Sequence, residues 1–149
     1  MKSILQSLTA IVVVFCSILF SIPALAQKGK VVWNATIHMD AVQAESTSDS
    51  WGLAILRVTE DKKLTYKIIV HQVDEGDMLS NAHIHYGAPG VNGNFFIPMM
   101  NGVVNLGRNV TVQLDDQQYE ELVNGTQPIY INVHSHVYPG DSIRGQIRE

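Results

Sequence analysis

The sequence predicts an all-β protein, an antiparallel Greek-key β-sandwich or barrel with one short helix. Three observations carry this expectation. Almost every segment after residue 30 alternates apolar and polar residues with period two, the pattern of half-buried strands. Clusters of Gly, Pro, Asn and Asp interrupt the alternation at short intervals, as turns between strands do. Only the stretch around residues 115–125 carries helical spacing between an acidic start and a glycine stop.

In residues 31–39, Val31, Trp33, Ala35, Ile37 and Met39 interleave with Val32, Asn34, Thr36 and His38, giving a first strand. Residues 43–50 are small and polar and read as a loop. Trp51–Thr59 is the second strand, and the charged run Glu60-Asp61-Lys62-Lys63 is a hairpin turn. Residues 64–70 form the third strand, with Leu64, Tyr66, Ile68 and Val70 on one face. An acidic loop around Gly76 precedes a fourth strand at 82–86, and residues 87–93 (GAPGVNG) are too rich in Gly and Pro for regular structure. Short strands follow at 95–100 and 103–106 around an Asn101-Gly102 turn, then at 110–114. Asp115 or Asp116 caps a helix whose apolar stripe is Tyr119, Leu122 and Val123, and Asn124-Gly125 ends it. Residues 129–137 are the next strand, Pro139-Gly140-Asp141 a turn, and 142–148 the last strand.

Residues 1–26 read as a secretory signal peptide rather than part of the fold. Lys2 gives a positive start, an apolar run follows, Pro23 ends it, and Ala24-Leu25-Ala26 is a small-residue cleavage site before Gln27. The run falls short of the roughly 20 apolar residues a spanning helix needs. The expected mature protein, residues 27–149, is one domain, secreted to an extracellular or periplasmic compartment and free of the membrane after cleavage. The one cysteine, Cys16, lies in the leader, so an apolar core and not disulfides must hold the fold. A net charge of −4 without any basic run argues against nucleic acid.

Four of the six histidines fall in two doublets, His83-Ile84-His85 and His134-Ser135-His136. Residues at i and i+2 leave a strand on the same face, so each doublet presents two imidazoles side by side. Ile84 belongs to the core face of its strand and Ile129, Ile131 and Val133 to that of the other. The histidines and Asn132 therefore project from the outer surface. Neighbouring strands bring opposed Cβ atoms to about 4.5–5.5 Å, close enough to gather three or four imidazoles around one ion. A nitrogen set without thiolate suits copper, or zinc, and the alternative is polar decoration of a solvent face.

The segments AHIHYGAPGVNG (residues 82–93) and YINVHSHVYPGDSIRGQI (residues 130–147) resemble the CHRD domain. That module occurs in chordin, the animal inhibitor of bone morphogenetic proteins, and in exported bacterial and archaeal proteins. Its pattern runs from AHIH and a Gly-rich loop, through a helical L..G turn, to NVHT, a Pro-Gly turn and EIRGQI. Leu122 to Gly125 supplies the turn here, and the likeness covers nearly all of residues 27–149. The resemblance implies a compact all-β extracellular domain whose biochemical activity is poorly defined, and it does not imply an enzyme. His83, His85 and His134 match motif positions. His136 falls where the family varies, and Ser142 replaces the usual Glu. A weaker likeness to Cu/Zn superoxide dismutase rests on the His-x-His strand followed by a Gly-rich loop, with Arg144 as a later arginine. The dismutase zinc subsite and disulfide have no counterpart, since residues 87–105 hold neither His nor Asp.

No catalytic constellation is evident, and Ser135 reads as a small core-facing residue rather than a nucleophile. Asp74, Glu75 and Asp77 lack EF-hand spacing and read as a solvated loop. Three N-x-[ST] triplets, at Asn34, Asn109 and Asn124, read as chance matches. Met99-Met100 beside Phe95 and Phe96 reads as core. Loop 87–93 is expected to fold over the histidines, with Asn92 orienting a ring, while Arg144 fastens that loop or the helix C-terminus. Gly145 marks a bulge or close packing. The expected function is a non-catalytic extracellular binding module with a protein or glycan partner and a surface histidine metal site. The alternative is a copper-handling protein or a dismutase-like redox enzyme.

Overall fold

A computed structural model describes residues 29–41, 50–71, 73, 75–101, 106–140 and 143–149. The described chain is one antiparallel sheet of eight strands with one short helix. In chain order these are β1 (Val31–Ala41), β2 (Trp51–Thr59), β3 (Lys63–His71), β4 (Leu79–Tyr86), β5 (Phe95–Asn101), β6 (Val110–Gln113), α1 (Asp116–Asn124), β7 (Ile129–Ser135) and β8 (Ile143–Arg148). Their spatial order is β5-β4-β7-β8-β1-β2-β3-β6, and the sheet curls into a nearly closed barrel. Of the two architectures the alternation allowed, the barrel is the one formed. The connections β3–β4, β5–β6 and β6–β7 join strands that are not neighbours, as in a Greek key.

The inward residues fill the barrel in the alternation read from the sequence. Ile37 and Met39 of β1, Ala54, Leu56 and Val58 of β2, and Leu64, Tyr66 and Ile68 of β3 are buried. Ile84, Ile131, Val133 and Ile143 meet them from the other side of the core. The Tyr66 hydroxyl donates to the Met99 carbonyl, tying β3 to β5 across the gap between the two edges. Pro98, which has no N–H to give a ladder, sits in edge strand β5, where none is needed. Gly145 shows the close packing expected of it. A Cβ there would stand 2.4 Å from the His38 carbonyl oxygen and 2.5 Å from Ile37 Cγ2, so only glycine lets β8 lie against β1.

The helix spans the expected residues. Asp115 is its cap: its carboxylate accepts from the Gln118 N–H while the Gln118 side chain accepts from the Asp115 N–H. Leu122 is fully buried, with Tyr119 and Val123 packed beside it. The helix end is held by Arg148, not Arg144. Arg148 Nη2 donates to the Glu121 carbonyl at 3.1 Å and to its carboxylate at 2.8 Å, and Nε donates to Gln127 O.

Several boundaries differ from the sequence expectation. β4 starts at Leu79 because Leu79 pairs with Ser135, adding residues before the His-x-His segment. β7 stops at Ser135, two residues early. There Ser135 N–H donates to Tyr138 O and its hydroxyl accepts from Tyr138 N–H, which closes a turn. Asp77 reinforces that turn by accepting from the Val137 and Met78 N–H groups, so it is a turn organiser rather than a bare solvated residue. Burial pushes its carboxyl up, but the hydrogen bonds from Ser135 and from three backbone N–H groups outweigh this and hold it below the usual carboxylate range. The expected leader, the 43–49 loop, the 103–105 strand residues, Asp74, Asp141 and Ser142 lie outside the described residues. Leu106 lies in a turn. No helix among the described residues is long and apolar enough to cross a membrane.

Candidate functional site

β4 and β7 are direct neighbours, with His83 opposite Asn132 and His85 opposite Tyr130. β8 continues the same face with Arg144 opposite Asn132 and Gln146 opposite Tyr130. The pleat therefore gathers His83, His85, Tyr130, Asn132, His134, Arg144 and Gln146 on one patch of the outer wall. This is the side-by-side arrangement expected for His83, His85 and His134. One ring nitrogen from each of the three lies within 4.8 Å of the other two, and no other such group of His, Cys, Asp or Glu occurs among the described residues. His83 Nδ1 and His134 Nε2 are 3.1 Å apart and share a proton.

The site is less open than the sequence suggested. Loop 87–93 lies over it, as its glycines foretold. Gly87 and Gly90 have φ of 149° and 76°, and a Cβ on Gly93 would stand 1.8 Å from Tyr86 O. Arg144 fastens the loop: Nη2 donates to Ala88 O at 2.8 Å and Val91 O at 3.0 Å, and Nη1 donates to Asn92 Oδ1 at 3.2 Å. Asn92 thus serves Arg144 instead of orienting an imidazole. His134 is only 9% exposed and Asn132 3%. His83 and His85 are half-buried.

Each ring is fixed by its surroundings. His85 Nδ1 donates to Gly93 O at 3.2 Å, which makes Nε2 the basic atom of that imidazole. Its face lies on Tyr130, centroid to centroid 5.3 Å and nearly parallel, while the Arg144 guanidinium covers the opposite face of Tyr130 at 3.3 Å. Phe95, expected in the core, instead meets His83 edge-on at 5.1 Å and stays 54% exposed. Bulges between Ala82 and His83 and between Ile84 and His85 shift the β4–β5 register and turn Phe95 outward. Phe96 and Met99 do enter the core. Burial, then the neighbouring His134 and His85, push the pKa of His83 down to about 4, so the ring is neutral at physiological pH.

His136 does not join the cluster. It follows the end of β7, its N–H donates to Met78 O, and its side chain is exposed. The alternation that places His134 on the patch no longer applies once the strand has ended. His38 and His71 lie elsewhere on the wall, on either side of Trp51, with centroid separations of 5.7 and 4.2 Å. Tyr130 was missed in the sequence, although stepping back two residues from Asn132 along the same face points to it.

Chemically, the patch offers three nitrogen donors with no carboxylate or thiolate among them. Ligands 2.0–2.1 Å from one ion stand about 3–3.5 Å apart, so the three rings would have to draw together to hold a Cu(II) or Zn(II) ion. Compared with models of known protein families, residues 34–147 match the CHRD domain. No curated protein and no solved structure matches the chain.

Proposed function

The chain belongs to the CHRD domain family, and from that premise we propose that it is an exported, non-catalytic binding module holding one copper ion at His83, His85 and His134. One observation carries the metal reading: three imidazole nitrogens from two paired strands converge within 4.8 Å beside a loop that holds the His85 ring. His83 is already neutral, with its pKa pushed down to about 4, and His85 is held with Nε2 as its basic atom, so little proton displacement opposes a cation. An all-nitrogen donor set favours copper over softer or harder alternatives. The leader-like residues 1–26 support export. Arg144 favours a binding role over redox turnover, because its donors are committed to Ala88, Val91 and Asn92 and its face to Tyr130. The macromolecular partner of the module is a protein or glycan.

Calorimetric titration with Cu(II) at pH 7 tests the reading. The expected result is one copper per chain and a raised melting temperature, since a ligand that binds only the folded state stabilises it. Replacing His83 and His85 together with Ala abolishes both effects, and His136→Ala leaves them intact. Stoichiometric copper on the double variant removes the proposal. Superoxide turnover by the loaded protein above that of free copper would replace the binding role with a redox one.

A further inference from the structure

Two side-chain atoms on the outer face of β7 have no hydrogen-bond partner among the described residues although both are fully buried: His134 Nδ1 and Asn132 Oδ1. Their residues stand two apart on one strand, so they share a face. They are also complementary. Asn132 Nδ2 donates to Gly140 O at 3.2 Å, which fixes the amide so that its oxygen, an acceptor only, is the unpaired end. His134 Nε2 meets His83 Nδ1, and His134 ligates a metal through that Nε2 only if its own proton resides on Nδ1. A buried N–H and a buried carbonyl oxygen, each unpaired, are each costly to leave unmade. One water can serve both, because it accepts from the first and donates to the second.

We infer that Asn132 is the positioning residue of the histidine site, holding His134 in the Nδ1–H tautomer through a bridging water and so presenting Nε2 to a metal. This deepens the copper reading and rests on it for its purpose. Its first consequence, however, is visible without metal. His83 Nδ1 then donates to His134 Nε2, which sets the direction of the proton in the 3.1 Å contact. The tautomers are thereby chained: Asn132 orders His134, and His134 orders His83.

Two substitutions separate this role from a structural one. Asn132→Asp keeps an acceptor but loses the donor to Gly140, whereas Asn132→Leu loses both. In metal-free protein at pH 7, the ¹⁵N shifts of His134 are expected to show a protonated Nδ1 in the parent and in Asn132→Asp, and a change in Asn132→Leu. In copper titrations, Asn132→Leu is expected to weaken binding about 10–100-fold, the usual effect of losing a group that orients a ligand, with Asn132→Asp retaining most of the affinity. A parent His134 protonated on Nε2 overturns the assignment, as does an equal loss in both variants, which would mean that the Gly140 contact is what matters. Absence of copper binding by the parent would sink the copper reading while the tautomer result still judged Asn132.

Discussion

Replacing His83 with Gln isolates the electrostatic cost built into the histidine patch. Burial, and then the imidazoles of His134 and His85, lower the folded-state pKa of His83 from 6.5 to about 4. In the unfolded chain the ring has its ordinary value, so as pH falls the unfolded state takes up the proton first. Stability from keeping His83 neutral is therefore complete above pH 6.5, declines between 6.5 and about 4, and is absent below. At 1.36 kcal/mol per unit the full gap corresponds to about 3 kcal/mol, and partial exposure of the ring brings this to about 2 kcal/mol. The assay is urea denaturation of the parent and His83→Gln at pH 7.5 and pH 4.2. The parent is expected to lose about 2 kcal/mol more than the variant across that interval, because carboxylate titration is common to both and cancels. Equal losses, or a larger loss in the variant, would refute the claim that His83 is held neutral by its surroundings.

Three further outcomes follow from the packing. Gly145→Ala drives a methyl into the His38 carbonyl and Ile37, and is expected to cost about 2 kcal/mol by urea denaturation; an unchanged midpoint would mean that β1 and β8 separate freely. Arg148→Lys is expected to lose about 1–2 kcal/mol, since one ammonium cannot span Glu121 O, its carboxylate and Gln127 O together, and full stability would remove Arg148 as the helix clamp. Arg144→Lys keeps the charge but not the planar fork, so the Val91 N–H, bonded to Ala88 O, is expected to exchange with solvent about tenfold faster. Unchanged protection of Val91 would show that the loop holds itself.

Much of the barrel was legible because period-two alternation is a local property, visible in any seven residues of β3 or β7. The fold-over of loop 87–93 was legible for the same reason, since its glycines report conformations that other residues avoid. What escaped depends on partners distant in sequence. The Ser135–Tyr138 turn that ends β7 is reinforced by Asp77, some sixty residues away, accepting from Val137, and this turn carries His136 off the patch. The inclusion of Phe95 depends on two bulges against β4 that no composition signals. Arg148 rather than Arg144 reaches the helix because β8 places the two on different stretches of the wall, where Arg144 meets the loop first.

The burial of β7 gives the histidine patch its physical meaning. All seven of its residues are buried, although an antiparallel strand in a barrel wall ordinarily shows one face to water. Its inner face, Ile129, Ile131 and Val133, is the apolar core. Its outer face is Tyr130, which lies under loop 87–93 and Arg144; Asn132, whose amide donates to Gly140 O; and His134, which lies against His83 and His85. Stability alone would favour apolar residues there, because a buried amide and imidazole need hydrogen-bond partners that a well-packed aliphatic of similar size does not. Alternation sends these polar residues outward as expected; what departs from an ordinary barrel wall is that they are buried there. A buried polar face that continues onto the half-buried histidines of β4 across the ladder is what the proposed site requires and what the fold alone does not.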